Sequence, residues 1–265
     1  MLKLVLPKGS LEKATLQLFE EADLAVRRTS DVDYRASVDD PRIADVRILR
    51  PQEIPSYVED GLFDIGIAGR DWIEETSSDV VSLGELKYSK VTAKPVKIVV
   101  AVPADSDYEV LSDLPQGVRV SSEYPELTNR HFAASGVKAD VRLSYGATEA
   151  KAPEIVDAVV DLTETGSALR AAGLKIIDEI LTSYTEIFAN RESYADPEKR
   201  KAMEQLKTLL DGVLDARGRV LMKLNVSASD LDQVSIDWRL RTGGLIVLTK
   251  DSNDNWDWNN KTLIA

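Results

Sequence analysis

The sequence has no cysteine and only one histidine, His131. The absence of cysteine excludes disulfide bonds, thiolate nucleophiles and cysteine-ligated zinc. A single histidine is too few for a histidine metal cluster, and a Ser-His-Asp triad would use the one histidine present. Any metal ion must therefore be bound through oxygen atoms.

Two further absences concern membranes and nucleic acids. No apolar run approaches the roughly 20 residues of a membrane-spanning helix, and the start MLKLVLPKG turns polar too early for a secretory signal. We therefore expect a cytoplasmic protein that does not enter a membrane. The net charge of −12 argues against a nucleic-acid partner. A phosphate-bearing ligand would require positive potential that is concentrated locally.

The segment from Ile155 to Gly173 is the most informative part of this chain of 265 residues. Its first half, Val156–Leu162, is an apolar run interrupted by Asp157 and Asp161, which predicts a buried strand with acids at its edge. A polar loop, Thr163–Ser167, follows the strand and leads into a predicted helix. The sequence thus predicts a strand, a loop and a helix in direct succession.

This connection has two interpretations. Backbone N–H groups, hydroxyls and a helix N-terminus converge at the loop, and such groups bind phosphate. The acids upstream can accept hydrogen bonds from ribose hydroxyls, so the segment favours a phosphoribosyl group. The alternative is an ordinary strand-loop-helix connection with a threonine N-cap.

Three predicted strands of the N-terminal part are each followed by a cationic residue. The pairs are Leu2–Leu6 with Lys8, Asp45–Leu49 with Arg50, and Phe63–Ala68 with Arg70. Ligands of α/β proteins bind at the carboxyl ends of parallel strands, so we expect the three cations at one edge of a parallel sheet. Lys8 alone could equally be a solvated lysine, and we expect Ser10 to cap the helix that follows it.

The remaining pattern predicts an α/β protein with two lobes. Val96–Val102 is interpreted as the crossing into a second domain, where alternating strands and helices predict a second parallel sheet. Lys175–Thr182 is a strand that carries the chain back, and the long helix Pro197–Ala216 returns to the first domain. The expected domains are residues 1–95 with 180–216, residues 96–179, and a small C-terminal α+β domain, residues 217–265.

Five sequence blocks resemble the ATP phosphoribosyltransferase family, and they occur in the family's order over about residues 1–226. The blocks are Leu6-Pro7-Lys8-Gly9-Ser10-Leu11, Arg50-Pro51-Gln52-Glu53-Ile54-Pro55, Asp64-Ile65-Gly66-Ile67-Ala68-Gly69-Arg70-Asp71, Glu123-Tyr124-Pro125-Glu126-Leu127-Thr128 and Asp161-Leu162-Thr163-Glu164-Thr165-Gly166-Ser167. The resemblance implies a two-lobed core like that of periplasmic binding proteins. It also implies the first reaction of histidine biosynthesis, in which ATP and phosphoribosyl pyrophosphate give phosphoribosyl-ATP and pyrophosphate, with Mg²⁺.

The resemblance also implies roles for particular residues. The loop that would hold the ribose 5-phosphate consists of Thr163, Glu164, Thr165, Gly166, Ser167 and Ala168. Asp161, with Asp157, would take the ribose hydroxyls and favour positive charge on the ribose. Lys8, Arg50 and Arg70 would neutralise pyrophosphate or triphosphate. Mg²⁺ would be coordinated mostly by substrate oxygens, and its protein ligands stay unassigned. Asp71, Glu123 and Tyr124 either line the cleft or brace its loops.

The sequence departs from the family pattern in three places. Ala168 replaces a hydroxyl residue found in many members, and Ser10 replaces an arginine found in others. The resemblance implies the long form of the enzyme, with a third domain that begins near Gly218. In that domain only a first strand, Gly218–Val226, and a helix, Ser227–Val234, are recognisable, whereas the polar Asp251–Asn260 predicts no core strand. We therefore expect a homo-oligomer, a dimer or loose mixture more than a hexamer, with weak or absent feedback inhibition by histidine. The alternative is a smaller competent module in which Gly243–Thr249 pairs with Val220–Val226.

Two other classes of protein share parts of this pattern. A solute-binding protein has a similar two-lobed fold, but it needs neither three cations at strand ends nor a phosphate loop. A non-catalytic nucleotide-binding regulatory relative is expected to lose the acids Asp157 and Asp161, and both are present. The sequence therefore favours an enzyme, a pentosyltransferase.

Overall fold

The computed structural model describes residues 1–30, 33–88 and 95–217 in full, and the backbone of residues 221–224, 245–250 and 256–264. The chain divides into two compact units, Met1–Asp211 and Gly212–Ala265. None of the helices in the described part of the chain is long and apolar enough to cross a membrane.

The first unit contains eleven described strands and the helices that connect them. The strands are β1 (Leu2–Pro7), β2 (Arg35–Ala36), β3 (Ile43–Leu49), β4 (Ile65–Gly69), β5 (Val80–Glu85), β6 (Val96–Pro103), β7 (Val118–Ser122), β8 (Ala139–Leu143), β9 (Ala158–Thr163), β10 (Leu174–Ser183) and β11 (Thr185–Asn190). The α-helices are α1 (Glu12–Glu21), α2 (Ile54–Glu59), α3 (Arg70–Thr76), α4 (Pro125–Ala134), α5 (Ser167–Ala171), α6 (Arg191–Ala195) and α7 (Pro197–Ala216), the last of which continues into the second unit.

The first sheet has the strand order β2-β3-β1-β4-β11-β5. β1 is parallel to both β3 and β4, which confirms that these three strands end at one edge of a sheet. β11 was not predicted from the sequence. It runs antiparallel between β4 and β5, and all six of its residues are buried, so it lacks the alternation that marks a half-exposed strand.

The second sheet has the order β10-β6-β9-β7-β8. β7 is parallel to β8 and β9, but β6 is antiparallel to both of its neighbours, β9 and β10. The sheet is therefore mixed, and the predicted wholly parallel sheet is wrong. The reason is that β6 carries the chain in from the first sheet, whereas helical segments join the later strands and return the chain to the same end.

Apolar side chains fill the space between these sheets and their helices. In the first sheet Val5 and Phe188 pack with Ile54 and Val58 of α2. Gly66 on β4 permits this close approach, because a Cβ at that position would lie 2.9 Å from both Ile54 and Val58. The second sheet packs the same way against α4 through a separate cluster of buried residues.

The start of α1 differs from the prediction. Its N-cap is Leu11 and no side chain caps it, so Ser10 is not the predicted capping residue. The buried face of the helix consists of Thr15, Leu18 and Phe19. Ser10 is exposed at the surface.

The second unit contains a three-stranded antiparallel sheet. Its strands are β12 (Leu221–Leu224), β13 (Leu245–Lys250) and β14 (Trp256–Ile264), in the order β12-β14-β13. Half of Asp251–Asn260 thus belongs to the central strand, which corrects the prediction that this segment supplies none. β14 also separates the two segments, Gly243–Thr249 and Val220–Val226, whose direct pairing was the alternative prediction. The predicted helix Ser227–Val234 lies outside the described residues.

The misassigned strand has a physical explanation. The alternation Trp256-Asp257-Trp258 has the period of a strand and includes residues with high strand propensity. The prediction gave more weight to the neighbouring Asn and Asp residues, which favour turns.

Candidate active site

A cavity of about 400 Å³ opens beside the carboxyl ends of several strands of the first unit. Most of its lining residues follow β1, β3, β4, β7 or β9, belong to β9, or lie where β10 meets β11. The lining includes Ser10, Leu11, Pro51, Gln52, Asp71, Trp72, Glu123, Tyr124, Asp161, Glu164 and Ser183. Each of the two sheets therefore contributes to one cavity.

Asp71 is the most deeply buried acid of this cavity, with 4% of its surface exposed. Its two carboxylate oxygens accept hydrogen bonds from the Ser183 hydroxyl at 2.6 Å and from the Tyr124 hydroxyl at 2.8 Å. Burial raises the pKa of Asp71, and the two hydrogen bonds oppose that rise. Because Asp71 lies on α3, Tyr124 before α4 and Ser183 on β10, this network joins the two sheets.

Tyr124 closes the same side of the cavity. Burial, and secondarily the charge of Asp71, raises the pKa of Tyr124 well above its usual value, so the phenol stays neutral and donates. Its ring packs against Trp72, with ring centroids 4.7 Å apart. These contacts support the bracing role that was one of the two predictions for Asp71 and Tyr124.

Asp161 lies near the carboxyl end of β9, where its Oδ1 accepts the Leu162 backbone N–H at 2.7 Å. Burial raises the pKa of Asp161 to about 6. The Leu162 N–H and Lys151 oppose this rise, and the carboxylates of Glu149 and Glu123 contribute to it. Burial likewise raises the pKa of Glu123, and Lys151 again opposes the rise.

Lys151 is a site residue that sequence analysis missed. Its ammonium group donates hydrogen bonds to the hydroxyls of Ser144 at 2.5 Å and Ser121 at 3.4 Å, both on buried residues. It is the cation whose charge acts on both Asp161 and Glu123. The available signal was a lysine just upstream of the acid-bearing strand.

The loop after β9 is held in shape by its own hydrogen bonds. Gly166 has a positive φ of 71°, and its N–H donates to the Thr163 hydroxyl at 2.7 Å. The Thr165 hydroxyl donates to the Ser167 hydroxyl at 3.0 Å, and Arg170 donates to the Thr165 carbonyl at 3.0 Å. Arg170 is a second residue that sequence analysis missed, and it adds a positive charge to a loop predicted to hold phosphate.

The other loop residues differ in their access to the cavity. Glu164 lines it, whereas Thr165, Ser167 and Ala168 are exposed at the surface. Thr165, Ser167 and Ala168 are thus accessible to a ligand beside the cavity, whereas the Gly166 N–H is bonded to Thr163.

Two of the three predicted cations lie at the cavity's edge. A Cβ at Gly9 would lie 3.8 Å from the guanidinium of Arg50, and no hydrogen bond or ion pair joins the Arg50 side chain to another of the described residues. The ammonium group of Lys8 lies 4.5 Å from the ring centroid of Tyr34. Neither cation lines the cavity, but residues two positions or fewer away from each do.

The structure does not bring Arg70 to this cavity. Its guanidinium donates to Glu74 at 3.0 and 2.7 Å and to Glu186 at 3.3 Å, and it lines a different cavity. The sequence places Arg70 after β4, but it is also the first residue of α3, and the helix turns its side chain toward Glu74 one turn later.

Asp157 is likewise separated from Asp161. It precedes β9 and makes a two-point ion pair with Arg119, at 2.6 and 3.1 Å, which holds the pKa of Asp157 below its usual range. Four strand residues at about 3.3 Å each put the two acids roughly 13 Å apart. The structure therefore gives no support to both acids contacting one ribose.

The fold and the cavity together define an α/β protein in which two sheets contribute to one cavity lined by several acidic side chains. The comparisons with known proteins specify the family. The sequence model described as HisG: ATP phosphoribosyltransferase matches residues 50–212. The chain belongs to the ATP phosphoribosyltransferase family.

Individual relatives agree with this assignment. An ATP phosphoribosyltransferase of Pelotomaculum thermopropionicum is 47% identical over 88% of this chain and 80% of its own. One of Chlorobium luteolum is 43% identical over 97% of this chain and 85% of its own. A solved ATP phosphoribosyl transferase (HisG:HisZ) complex from Thermotoga maritima has a TM-score of 0.69 at 25% identity, covering 81% of this chain and 99% of that one.

These findings confirm the predicted fold class and the predicted family. They favour the transferase over a solute-binding protein and over a non-catalytic relative. The enzyme transfers a phosphoribosyl group from phosphoribosyl pyrophosphate to ATP, which is the first step of histidine biosynthesis.

Proposed function

We propose that ATP and phosphoribosyl pyrophosphate meet in the 400 Å³ cavity and that Asp161 is its central catalytic residue. The observation that carries this proposal is the position of Asp161, half-buried in the cavity and two residues before the loop that begins at Thr163. A carboxylate at that position faces a sugar whose 5-phosphate lies on the loop.

The reaction explains why a carboxylate is useful there. Adenine N1 attacks the anomeric carbon, the new C–N bond forms as the C–O bond to pyrophosphate breaks, and the bonding electrons leave with pyrophosphate. Positive charge develops on the ribose, and a fixed negative charge in a site with little water stabilises it. Asp161 supplies that charge and accepts a hydrogen bond from a ribose hydroxyl.

The neighbouring residues bind the rest of the two substrates and support the site. The hydroxyls and amides of Thr163–Ser167, with Arg170, hold the 5-phosphate, and Lys8 and Arg50 neutralise the pyrophosphate or triphosphate. The Trp72 ring offers a flat apolar surface for the adenine base. Asp71 and Tyr124 brace this surface, and Lys151 keeps Asp161 ionised.

Mg²⁺ is proposed as the cofactor. Within the described ranges no group of three or more acidic or histidine side chains could hold a metal ion by itself. The cavity does present the carboxylates of Glu123 and Glu164, and Mg²⁺ is often held by one or two carboxylates plus substrate phosphates. These two would hold the ion, which when bound screens the charge of the departing pyrophosphate.

The lobes, location and assembly are further proposals. The proposed lobes are residues 1–95 with 180–216 and residues 96–179, followed by a domain of residues 217–265. Strands from residues 2–85 and 185–190 form one sheet and those from 96–183 the other, which supports two lobes with a boundary just after β10. We propose a cytoplasmic homo-oligomer with no nucleic-acid or membrane partner. The Thermotoga maritima neighbour is a HisG:HisZ complex, so a second protein is the alternative to self-association.

One assay tests the central proposal. Purified protein is mixed with ATP, phosphoribosyl pyrophosphate and Mg²⁺, and phosphoribosyl-ATP is followed by its ultraviolet absorbance. We expect product that depends on all three components. Product formed equally well by an Asp161→Asn variant would remove Asp161 from the centre of the mechanism.

A further inference from the structure

A second cavity of the first unit, of about 310 Å³, shares no residue with the proposed active site. It is lined by α3, by the start of β5, by α4 and by β11. The lining residues that matter are Arg70, Glu74, Ser77, Arg130 and Glu186. None of them has a part in the proposed mechanism.

Glu186 is an unusual residue for the interior of a sheet. It is fully buried on β11, and its Oε1 has no hydrogen-bond partner among the described residues. A buried charged oxygen without a partner costs free energy, so such a group calls for a donor that is still missing.

Arg70 satisfies Glu186 only in part. It donates to Glu186 Oε2 at 3.3 Å, which is long for a charge-assisted hydrogen bond, where about 2.7–2.9 Å is usual. Its shorter contacts, at 3.0 and 2.7 Å, go to Glu74. Arg70 can therefore stay on Glu74 while another donor approaches the Glu186 carboxylate.

The outer part of the cavity presents hydrogen-bond donors, in contrast to the acceptor Glu186. Arg130 is exposed and donates to the Ser77 hydroxyl at 2.8 Å and to the Glu74 carbonyl. A guanidinium has five N–H donors in a planar fork, so Arg130 retains donors for an acidic group. The cavity thus offers an acceptor in its interior and a donor at its surface.

The charges of the cavity are balanced, with Arg70 and Arg130 against Glu74 and Glu186. A ligand with a net charge would disturb this balance, whereas a zwitterion preserves it. A volume of about 310 Å³ is at the small end for ligand sites. We propose that this cavity binds a small zwitterion the size of an amino acid, with its ammonium group on Glu186 and its carboxylate on Arg130.

Helix α3 connects this second cavity with the proposed active site. Asp71 and Trp72 lie on the same helix, α3, as Arg70 and Glu74. Glu75, also on α3, accepts the backbone N–H groups of Glu126 and Leu127 at 3.1 and 2.8 Å, which links α3 to α4. A ligand that ties Arg130 of α4 to Glu186 of β11 would therefore hold both helices in one arrangement.

The test is calorimetric titration of the full-length protein without ATP or phosphoribosyl pyrophosphate, so its outcome does not depend on the proposed mechanism. The probes are glycine, β-alanine and γ-aminobutyrate, which separate the two charges by increasing lengths, with methylammonium and acetate as half-ligands. We expect saturable binding of at least one zwitterion, tighter than either half-ligand. Glu186→Gln should weaken that binding about tenfold or more, because it removes a hydrogen bond to a charged group.

Arg130→Gln provides a second, surface variant in case Glu186→Gln does not fold. It should weaken zwitterion binding but leave methylammonium binding unchanged. The matched control is Arg142→Gln, another exposed arginine, paired with Asp140 on β8, which should bind like the wild type. Failure of all three zwitterions to saturate the wild-type protein, or equal affinity in all variants, would overturn the proposal and leave Glu186 solvated by water alone.

Discussion

Asp161 and Asp157 offer an internal comparison at the scale of single residues, since they lie near opposite ends of the same strand. We expect Asp161→Asn to reduce turnover by about two orders of magnitude or more, the scale seen when one group that stabilises transition-state charge is removed. Asp157→Asn should leave turnover nearly unchanged, because Asp157 is engaged with Arg119. Steady-state kinetics of both variants, with circular dichroism to verify folding, makes the comparison. Equal losses would contradict the assignment.

The raised pKa of Asp161 predicts a pH dependence with a definite sign. Only the ionised carboxylate stabilises the ribose cation, so kcat/KM should fall as pH decreases through about 6. Stability should respond in the opposite direction. The folded-state pKa lies above the usual 3.8, so this group's contribution to stability is fully present below that value and is lost as pH rises through about 6.

A pH profile of kcat/KM and denaturant titrations at several pH values test both parts of this prediction. In Asp161→Asn the remaining activity should lose its acidic limb near pH 6. An unchanged limb in that variant would assign the titration to a different group.

The positive charge of Lys151 provides a second test of the pKa of Asp161. Because its ammonium group lowers the pKa of Asp161, Lys151→Met should move the acidic limb of kcat/KM to higher pH. Lys151→Arg keeps the charge and should restore most of the wild-type profile. Lys138→Met, at an exposed position away from these acids, is the control. A lower rate with an unmoved limb would show that Lys151 only supports the fold.

The loop after β9 is the element on which substrate selectivity depends. Gly166→Val should weaken phosphoribosyl pyrophosphate binding much more than ATP binding, because a β-branched residue resists a φ of 71°. A Cβ there would also lie 2.8 Å from the Arg170 guanidinium, which supports the loop. Separate titrations of the two ligands measure the effect.

A matched glycine is available for this experiment. Gly117 also has a positive φ, 84°, but a Cβ there meets nothing within 4 Å. Gly117→Val therefore reproduces the backbone strain without touching the loop, and it should affect both ligands little. If Gly166→Val weakened both ligands equally, the loop would be structural only.

Elements and side chains differ in how well the sequence predicts them. Apolar runs that end at polar residues located β1, β4, β6 and β9 closely, because burial of a strand leaves a direct trace in the sequence. The direction of β6 left no such trace, since a strand carries the same pattern whichever way its neighbours run. Arg70 was placed correctly along the chain, but its partners, Glu74 and Glu186, come from packing.

At the scale of the whole molecule, the second unit bears on regulation by histidine. The resemblance to long-form members implies a C-terminal domain with a small sheet covered by helices, through which histidine acts. Here the described strands β12, β14 and β13 form a wholly antiparallel sheet, and β13 and β14 follow each other closely in the sequence. We therefore keep the prediction that this second unit does not reproduce the regulatory domain.

We therefore expect weak or absent inhibition by histidine, and a dimer or loose mixture in place of a firm hexamer. Activity with and without millimolar histidine tests the first part, and light scattering of the same samples tests the second. Removal of the strands from Leu221 onward should then change neither the response to histidine nor the turnover by much, because Asp161, its loop and Lys151 all lie in the first unit. Strong inhibition together with a stable hexamer, both lost on this truncation, would show that a sheet of different construction performs the regulation.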